Sequence, residues 1–325
     1  MKEIIINSNE AGQRLDKMLL KYLDKAPKSF LYKMFRKKNI TLNDKKCLGN
    51  EILKEADSLK LFLSDETITS FKSSDITNFT ANKKHVSFLP DIIYEDDNIM
   101  LVNKPVGLLS QKSKAEDESI NELLINYCFE SGRINKDDLR SFNPSVCNRL
   151  DRNTSGIITF GKTLSGLQGL SKLLKERSLG KYYRCIVLGE IKEAKRINGY
   201  LTKNNNSNMV SISNTPIEDA SRIITEYKPI ASNGELTVLE VKLITGKSHQ
   251  IRAHLASIGH PIIGDTKYGN KESNKYSLKH QMLHSYRLEM PSDIDGALNN
   301  LSGKVFIAKE PTKFKKISDQ ISLKL

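Results

Sequence analysis

Apolar residues recur at helical spacing near the start of the chain and alternate at strand spacing through much of the rest. Leu15, Met18, Leu19 and Tyr22 stand three and four apart, which predicts a helix over residues 14–23. Pro27 opens a second helix, since proline suits a first helical turn, with Phe30, Leu31, Met34 and Phe35 facing inward. Ile40-Thr41-Leu42 predicts a short strand, Asn43-Asp44 a turn, and Leu59, Leu61 and Leu63 a closing strand. Residues 64–87, from Ser64-Asp65-Glu66-Thr67 through Ser70, Ser73, Ser74, Asn78 and Asn82 to Lys83-Lys84, are polar and aperiodic and read as a linker.

A larger unit begins near residue 88. Residues 92–94 and 99–102 predict a hairpin, ended by Lys104-Pro105-Val106-Gly107. Strands at 146–150 and 157–160 flank a polar loop, and Leu164, Leu167, Leu170 and Leu174 mark an amphipathic helix. A strand at 182–188 follows, then a hairpin of 223–230 and 236–244 around Asn233-Gly234. A helix over 249–258 has Ile251, Leu255 and Ile258 inward and stops at Gly259 and Pro261. Hairpins outnumber strand–helix–strand units, which predicts an α+β fold with a mostly antiparallel sheet. The expected organisation is a small α/β unit at 12–63, a linker at 64–87 and a large domain at 88–325. No internal repeat is evident.

Charge changes this picture. The 325 residues carry 51 Lys+Arg against 38 Asp+Glu, a formal +13. That excess favours a polyanionic partner, nucleic acid first and an anionic membrane surface second. Between Lys28 and Lys46 the basic residues Lys28, Lys33, Arg36, Lys37, Lys38, Lys45 and Lys46 face one acid, Asp44. Lys33, Arg36 and Lys37 share a helix face, and with Lys45 they read as phosphate contacts rather than a merely solvated surface. The four cysteines, Cys47, Cys128, Cys147 and Cys185, form no C-x-x-C pair and read as reduced, buried thiols of a cytoplasmic protein. The opening Met1-Lys2-Glu3-Ile4-Ile5-Ile6 is too short an apolar run for a signal peptide, and no run approaches the ~18 residues of a membrane span.

Several chemistries are unsupported. Thr245-Gly246-Lys247-Ser248 resembles the end of a phosphate-binding P-loop, but the required earlier glycine is Val241. His249 and His254 lie about 140° apart on a helix and cannot share a metal as an i, i+4 pair would. His260, before Pro261, reads as a turn residue. No G-x-S-x-G elbow supports a serine hydrolase, and no G-x-G-x-x-G follows a strand to support a dinucleotide cofactor.

Asp151 is the candidate chemical group. It lies in Asn148-Arg149-Leu150-Asp151-Arg152-Asn153-Thr154-Ser155-Gly156, a loop of small polar residues with an arginine on each side. One reading is a turn aspartate capping its own backbone. The other is a nucleophile favoured by its cationic neighbours.

Four motifs in order bear on that choice: Asn103-Lys104-Pro105-Val106-Gly107; Arg149-Leu150-Asp151 with Thr154-Ser155-Gly156; Thr245-Gly246-Lys247-Ser248-His249-Gln250-Ile251-Arg252-Ala253-His254-Leu255; and Gly259-His260-Pro261-Ile262-Ile263-Gly264-Asp265-Thr266-Lys267-Tyr268-Gly269. Together they resemble the RluA-type pseudouridine synthases, and the amino-terminal unit resembles the alpha-L RNA-binding module that many of them carry. The resemblance runs from about Gly12 onward and selects the nucleophile reading. It implies an isomerase that turns uridine in RNA into its C5-glycoside, with large-subunit ribosomal RNA as substrate, no cofactor or metal, and a monomer. It assigns Asp151 to attack or proton abstraction at the ribose, Tyr183 to stacking on the base or shuttling a proton, and Arg252 to pairing with the aspartate. Arg149 matches the position that fills the gap left by a flipped uridine, or binds phosphate. Thr154, Ser155 and Gly156, and Lys104, are expected to meet the RNA backbone. Leu283 packs under the base or in the core. No second acid stands in a setting comparable to Asp151, as a glycoside hydrolase would need.

Asn148 replaces the histidine of many members and Lys247 an arginine, which bears on the RNA site bound rather than on the reaction. Three other readings stay open: the same enzyme acting on transfer RNA, a non-catalytic ribosome-assembly factor, and a hydrolase that releases uracil.

Overall fold

The computed structural model describes residues 1–7, 10–72, 89–134, 138–204, 209–274, 276 and 278–322. The chain opens with β1 (Lys2–Ile5), α1 (Leu15–Tyr22), α2 (Lys28–Arg36), β2 (Ile40–Leu42), β3 (Lys45–Lys46), β4 (Ser58–Leu61) and α3 (Asp65–Ser70). The four strands pair antiparallel in the order β1-β4-β2-β3. Asn43 and Asp44 both take positive φ, 51° and 62°, as the central pair of a two-residue hairpin demands, and this sets Leu42 opposite Lys45. Leu15, Met18 and Leu19 of α1 and Leu31, Met34 and Phe35 of α2 are buried with Ile40, Leu59 and Leu61 in a core of their own.

This part reaches past residues 12–63 at both ends. β1 extends the sheet, and β4 ends at Leu61, short of Leu63. The first residues of the expected linker are a helix. Ser64 caps α3 by accepting the Thr67 N–H at 3.2 Å, Ile68 is buried, and the Phe71 ring lies 4.6 Å from that of Phe30. The remainder of that segment, from residue 73, lies outside the described residues.

The rest of the chain adds β5 (Ile92–Glu95), β6 (Ile99–Lys104), α4 (Ile120–Glu130), α5 (Asp138–Ser141), β7 (Ser145–Val146), β8 (Ser155–Gly161), α6 (Leu164–Glu176), β9 (Gly180–Leu188), β10 (Lys195–Asn204), β11 (Met209–Ser213), β12 (Ser221–Ser232), β13 (Leu236–Leu243), α7 (Gln250–Ser257), α8 (Lys271–Asn274), β14 (Leu283–Glu289), β15 (Val305–Ile307) and α9 (Thr312–Ser322). Nine of the strands run in the order β11-β10-β12-β13-β9-β14-β8-β6-β5, with β15 beside β14 and β7 beside β8. All pairs are antiparallel except β14 with β8, so the fold is α+β on a mostly antiparallel mixed sheet. Its central strands are buried on both faces, which suits the unbroken Ile-Ile-Thr-Phe of β8. Of the expected strand at 146–150 only Val146, with Ser145 before it, lies in β7; Cys147 still donates its N–H to the Thr159 carbonyl, and the residues after it lead into the aspartate loop. The four cysteines are free thiols; Cys147 is half-buried and the others buried. No helix among the described residues is long and apolar enough to cross a membrane.

The parallel join of β8 and β14 fixes where the aspartate loop ends. There Gly156 pairs with Ser285 at φ +114°, and a Cβ on it would overlap the Ser285 carbonyl. Both the dihedral and the space exclude a side chain. Gly156→Ala is expected to cost about 3 kcal/mol of stability, read by urea unfolding; a loss under about 1 kcal/mol would contradict this close approach.

Candidate active site

The aspartate loop, between β7 and β8, is held by its backbone so that one carboxylate is left facing outward. Ser110 Oγ accepts the Leu150 N–H and donates to the Leu150 carbonyl, both at 2.9 Å. On the other side of Asp151, the Arg152 carbonyl accepts from the Gly107 N–H at 3.0 Å and from Lys104 Nζ at 3.1 Å. Asn148 Oδ1 accepts the Thr159 N–H at 2.7 Å and its Nδ2 donates to the Ile157 carbonyl at 3.1 Å, stapling the loop's start to β8. The Thr154 N–H closes the turn onto the Asp151 carbonyl at 3.0 Å. Both neighbours of Asp151 are therefore fixed, while its own side chain is 25% exposed.

Arg252, on α7, meets that carboxylate: Nη1 donates to Asp151 Oδ2 at 2.7 Å. The rest of the guanidinium grips Asp265, with Nε to Oδ2 at 2.7 Å and Nη2 to Oδ1 at 2.8 Å. Asp265 is fully buried, and its Oδ1 also accepts the N–H groups of Lys267 and Tyr268 at 2.9 and 3.1 Å. Burial alone would push the Asp265 carboxyl up, but the Arg252 hydrogen bonds and charge, with those backbone donors, hold it below the usual carboxylate range. Burial also works against the charge on Arg252; Asp265 and then Asp151 outweigh it and raise the guanidinium above its ordinary value.

His249 stands on the other side of the carboxylate, Nε2 lying 3.9 Å from Asp151 Oδ1. Its Nδ1 bonds Tyr268 Oη at 2.8 Å, and that oxygen accepts the Val210 N–H at 2.9 Å. Burial lowers the His249 pKa, against the opposing pull of Asp151 and with help from Arg252 and Lys267. It begins α7 in the left-handed region, φ 55°, an uncommon setting for a non-glycine and one that aims the ring at the aspartate. His254 points elsewhere, its Nδ1 2.9 Å from Thr225 Oγ1, so the two histidines diverge as their spacing predicts.

These groups line a cleft of about 860 Å³. Arg149 and Arg152 enter it from the aspartate loop, Arg177 from the end of α6, Lys181 from the start of β9, and Lys247 and Lys267 from the segments around α7. Lys112 and Lys203 add to its wall, and Asp151 is the one carboxylate among the described residues that line it. Tyr183, on β9, and Leu283, opening β14, supply apolar surface; both are nearly buried. Burial pushes the Tyr183 hydroxyl up to about 12, against the pull of Ser285, so at neutral pH it is a hydrogen-bond donor and not a phenolate.

The structure thus brings Asp151, Tyr183, Arg252 and Arg149 together, as expected. Lys33, Arg36, Lys37 and Lys45 are exposed on α2 and at the β2–β3 hairpin, outside the cleft lining. Four of the expected RNA contacts are buried in the fold, Thr154 at the cleft lining. Lys104 is fully buried, its ammonium donating to the carbonyls of Pro105, Leu108 and Arg152 at 2.9, 2.7 and 3.1 Å. Burial pulls its pKa down to about 7 and Asp151 holds it up; three carbonyls use all three N–H bonds of the charged form. Thr154 and Ser155 are 2% exposed, with hydroxyls bound to Gln281 Nε2 at 3.2 Å and His284 Nδ1 at 2.9 Å. Gly156 is paired inside the sheet. All four support the loop, and Thr154 also lines the cleft.

Asp265, His249 and Ser110 were missed as site residues. Asp265 lies behind Arg252 and outside the cleft lining, so it is not a second acid in a setting like that of Asp151. Its sequence signal was an acid directly after the apolar run Ile262-Ile263-Gly264, where a solvated residue is not the default. Ser110 carries no signal beyond being a small polar residue.

Comparison with known proteins places this arrangement in a family. The family model described as RNA pseudouridylate synthase matches residues 98–257. The chain is 31% identical over 300 residues to an uncharacterized RNA pseudouridine synthase of Mycoplasma genitalium, covering 89% of each. It is 30% identical over 318 residues to the ribosomal large subunit pseudouridine synthase C of Vibrio vulnificus, covering 92% of this chain and 94% of that one. Among solved structures, human RNA pseudouridylate synthase domain containing 4 shares the fold with a TM-score of 0.57 at 19% identity, over 76% of this chain and 96% of that one. The chain belongs to the RNA pseudouridine synthases of the RluA type, isomerases that act on uridine in RNA.

The buried pair makes a prediction of its own. Asp265 titrates lower in the fold than in the unfolded chain, so its stabilisation is present above about pH 4 and is lost as the pH falls through the folded value. Asp265→Asn should cost about 3 kcal/mol at pH 7, where it breaks a buried ion pair, and distinctly less at pH 3. Urea unfolding at the two values reads this, and equal losses at both would contradict it.

Proposed function

We propose that the protein isomerises specific uridines of large-subunit ribosomal RNA, with Asp151 acting directly on the ribose of the target nucleotide. The observation that carries this reading is the carboxylate, single among the described residues of the cleft lining, set among cations and gripped from behind by Arg252. A polyanionic strand is attracted to such a wall, and the one anionic group in it stands where a reacting sugar could meet it. The substrate class rests on relatives named as ribosomal large subunit pseudouridine synthases C and D.

The reaction breaks the bond from N1 to C1′, turns the base and joins C1′ to C5. The hydrogen on C5 is lost and N1 gains one, so no group from outside is incorporated and no cofactor is required. Asp151 starts the sequence by attack at the ribose or by taking a ribose proton; either step requires a fixed carboxylate, which Arg252 supplies by holding Oδ2. The Tyr183 ring offers the detached base an apolar face, and its protonated hydroxyl can donate during the turn. A uridine in a stem must be flipped out at a cost of a few kcal/mol, and exposed Arg149, two residues from Asp151, can fill the gap or hold phosphate.

The basic part around residues 12–63, with its own core and exposed Lys33, Arg36, Lys37 and Lys45, serves as an RNA-binding domain that adds salt-dependent affinity. The working form is a cytoplasmic monomer.

Tritium release from ribosomal RNA transcribed with 5-tritiated uridine tests the function, because joining through C5 expels that hydrogen. Wild type should release tritium, and Asp151→Asn should lower the rate by at least 10³-fold, about 4 kcal/mol of barrier. Release by Asp151→Asn within tenfold of wild type would remove Asp151 from the chemistry. Binding without release by wild type would favour an assembly factor.

A further inference from the structure

The end of α6 and the start of β9 carry two cations that the reaction does not use, Arg177 and Lys181. Lys181 is two residues before Tyr183 on β9, so both side chains emerge on the same face, about 7 Å apart along the strand. Both line the cleft. Lys181 is half-buried, yet no hydrogen bond or ion pair ties its ammonium to any described residue. Its neighbour in charge is another cation: burial and then Arg177 depress its pKa. A half-buried ammonium next to a guanidinium is an unfavourable arrangement unless an anion joins them.

Three further features fit an anion at this point. The Lys181 ammonium lies 3.3 Å from where a Cβ on Gly246 would stand, so Gly246 leaves the room the ammonium occupies. Gly246 belongs to Thr245-Gly246-Lys247-Ser248, a run that resembles a phosphate loop and fails as one, and it lines the cleft beside that ammonium. Arg177 ends α6 at φ 58° and ψ 29°, the left-handed position where glycine is the usual residue. An exposed arginine held there points to a use for its side chain. A second cavity of about 310 Å³ adjoins the cleft, sharing Arg177, Lys181 and Leu243 in its lining. Its acid, Glu289, faces Arg287 at 3.3 Å rather than Lys181.

We propose that Lys181 and Arg177, in the space left by Gly246, form a subsite for one phosphate diester of the RNA strand that carries the target uridine. The proposal rests on the RNA reading above and adds a fixed point to it. A strand gripped there is held one side of the nucleotide that Tyr183 and Asp151 meet, and continues along the second cavity.

The test is filter binding of the full chain to a large-subunit ribosomal RNA transcript across a range of salt. Lys181→Met keeps the stem and removes the charge. It should weaken binding several-fold at low salt and flatten the slope of log K against log salt by about 0.7–0.9, one phosphate's worth of released counterions. Lys181→Arg should keep the wild-type slope. Arg177→Gly separates function from structure: it should flatten the slope similarly while raising Tm, because glycine relieves the left-handed strain. Unchanged slopes in both Lys181→Met and Arg177→Gly would overturn the subsite. The slope is a binding measurement, so it decides the subsite whether or not the transcript is turned over. Failure of wild type to release tritium counts against the catalytic reading alone.

Discussion

Arg252 bonds two carboxylates at once, and the geometry of the cleft depends on that. Two of its nitrogens are committed to Asp265, leaving Nη1 to reach Asp151 at 2.7 Å. A guanidinium is planar, so fixing one edge on a buried partner fixes where the remaining nitrogen points. Asp265 can serve as that partner because two backbone N–H groups share its charge. The Tyr268 ring lies 5.2 Å from the guanidinium carbon and closes the site on another side. A buried arginine between two acids is a poor source of net stability, since desolvation offsets most of the attraction. What it supplies is orientation, and orientation is what a lone carboxylate must have to react.

The aspartate loop is prepared from the opposite direction by backbone bonds. Ser110 holds Leu150 by both its N–H and its carbonyl, and Lys104 with Gly107 holds Arg152. Gly156 then lets β8 run against β14 at the one parallel pair of the sheet. Asp151 therefore sits where two rigid supports meet: a pinned loop behind its backbone and a pinned arginine against its carboxylate. The cations of the cleft surround this point from separate segments, an arrangement that attracts a polyanion, and Asp151 is the single anionic group among the described residues of its lining.

Short-range patterns made much of this legible. The spacing of Leu15, Met18 and Leu19 located α1, Asn43-Asp44 located a hairpin, and the ordered motifs brought Asp151, Tyr183, Arg149 and Arg252 to one cleft. What escaped was decided by distant partners. β1 begins with Lys2-Glu3, which gives no alternation, and pairs with β4 more than fifty residues away. β10 hides its inward face because Gly199 interrupts Ile197 and Leu201. Lys104 carries every sequence sign of a solvent-facing cation, and only the convergence of three carbonyls from two loops explains its burial. Thr154 and Ser155 read as donors to RNA because a loop is expected to be wet, whereas here Gln281 and His284 cover them. Asp265 stands within a motif with no local sign of its role, because nothing nearby in sequence shows that its partner is a residue thirteen positions earlier.

The claim that Asp265 acts on Asp151 through Arg252 is tested most directly by a double-mutant cycle on the single-turnover rate of tritium release, with Asp265→Asn, Arg252→Lys and the pair together. If Asp265 works only by aiming the guanidinium, the double variant should be about as slow as Arg252→Lys alone, a coupling energy of about 1–3 kcal/mol. If the two rate losses simply multiply, the residues act independently, and the orienting chain from Asp265 to Asp151 is refuted.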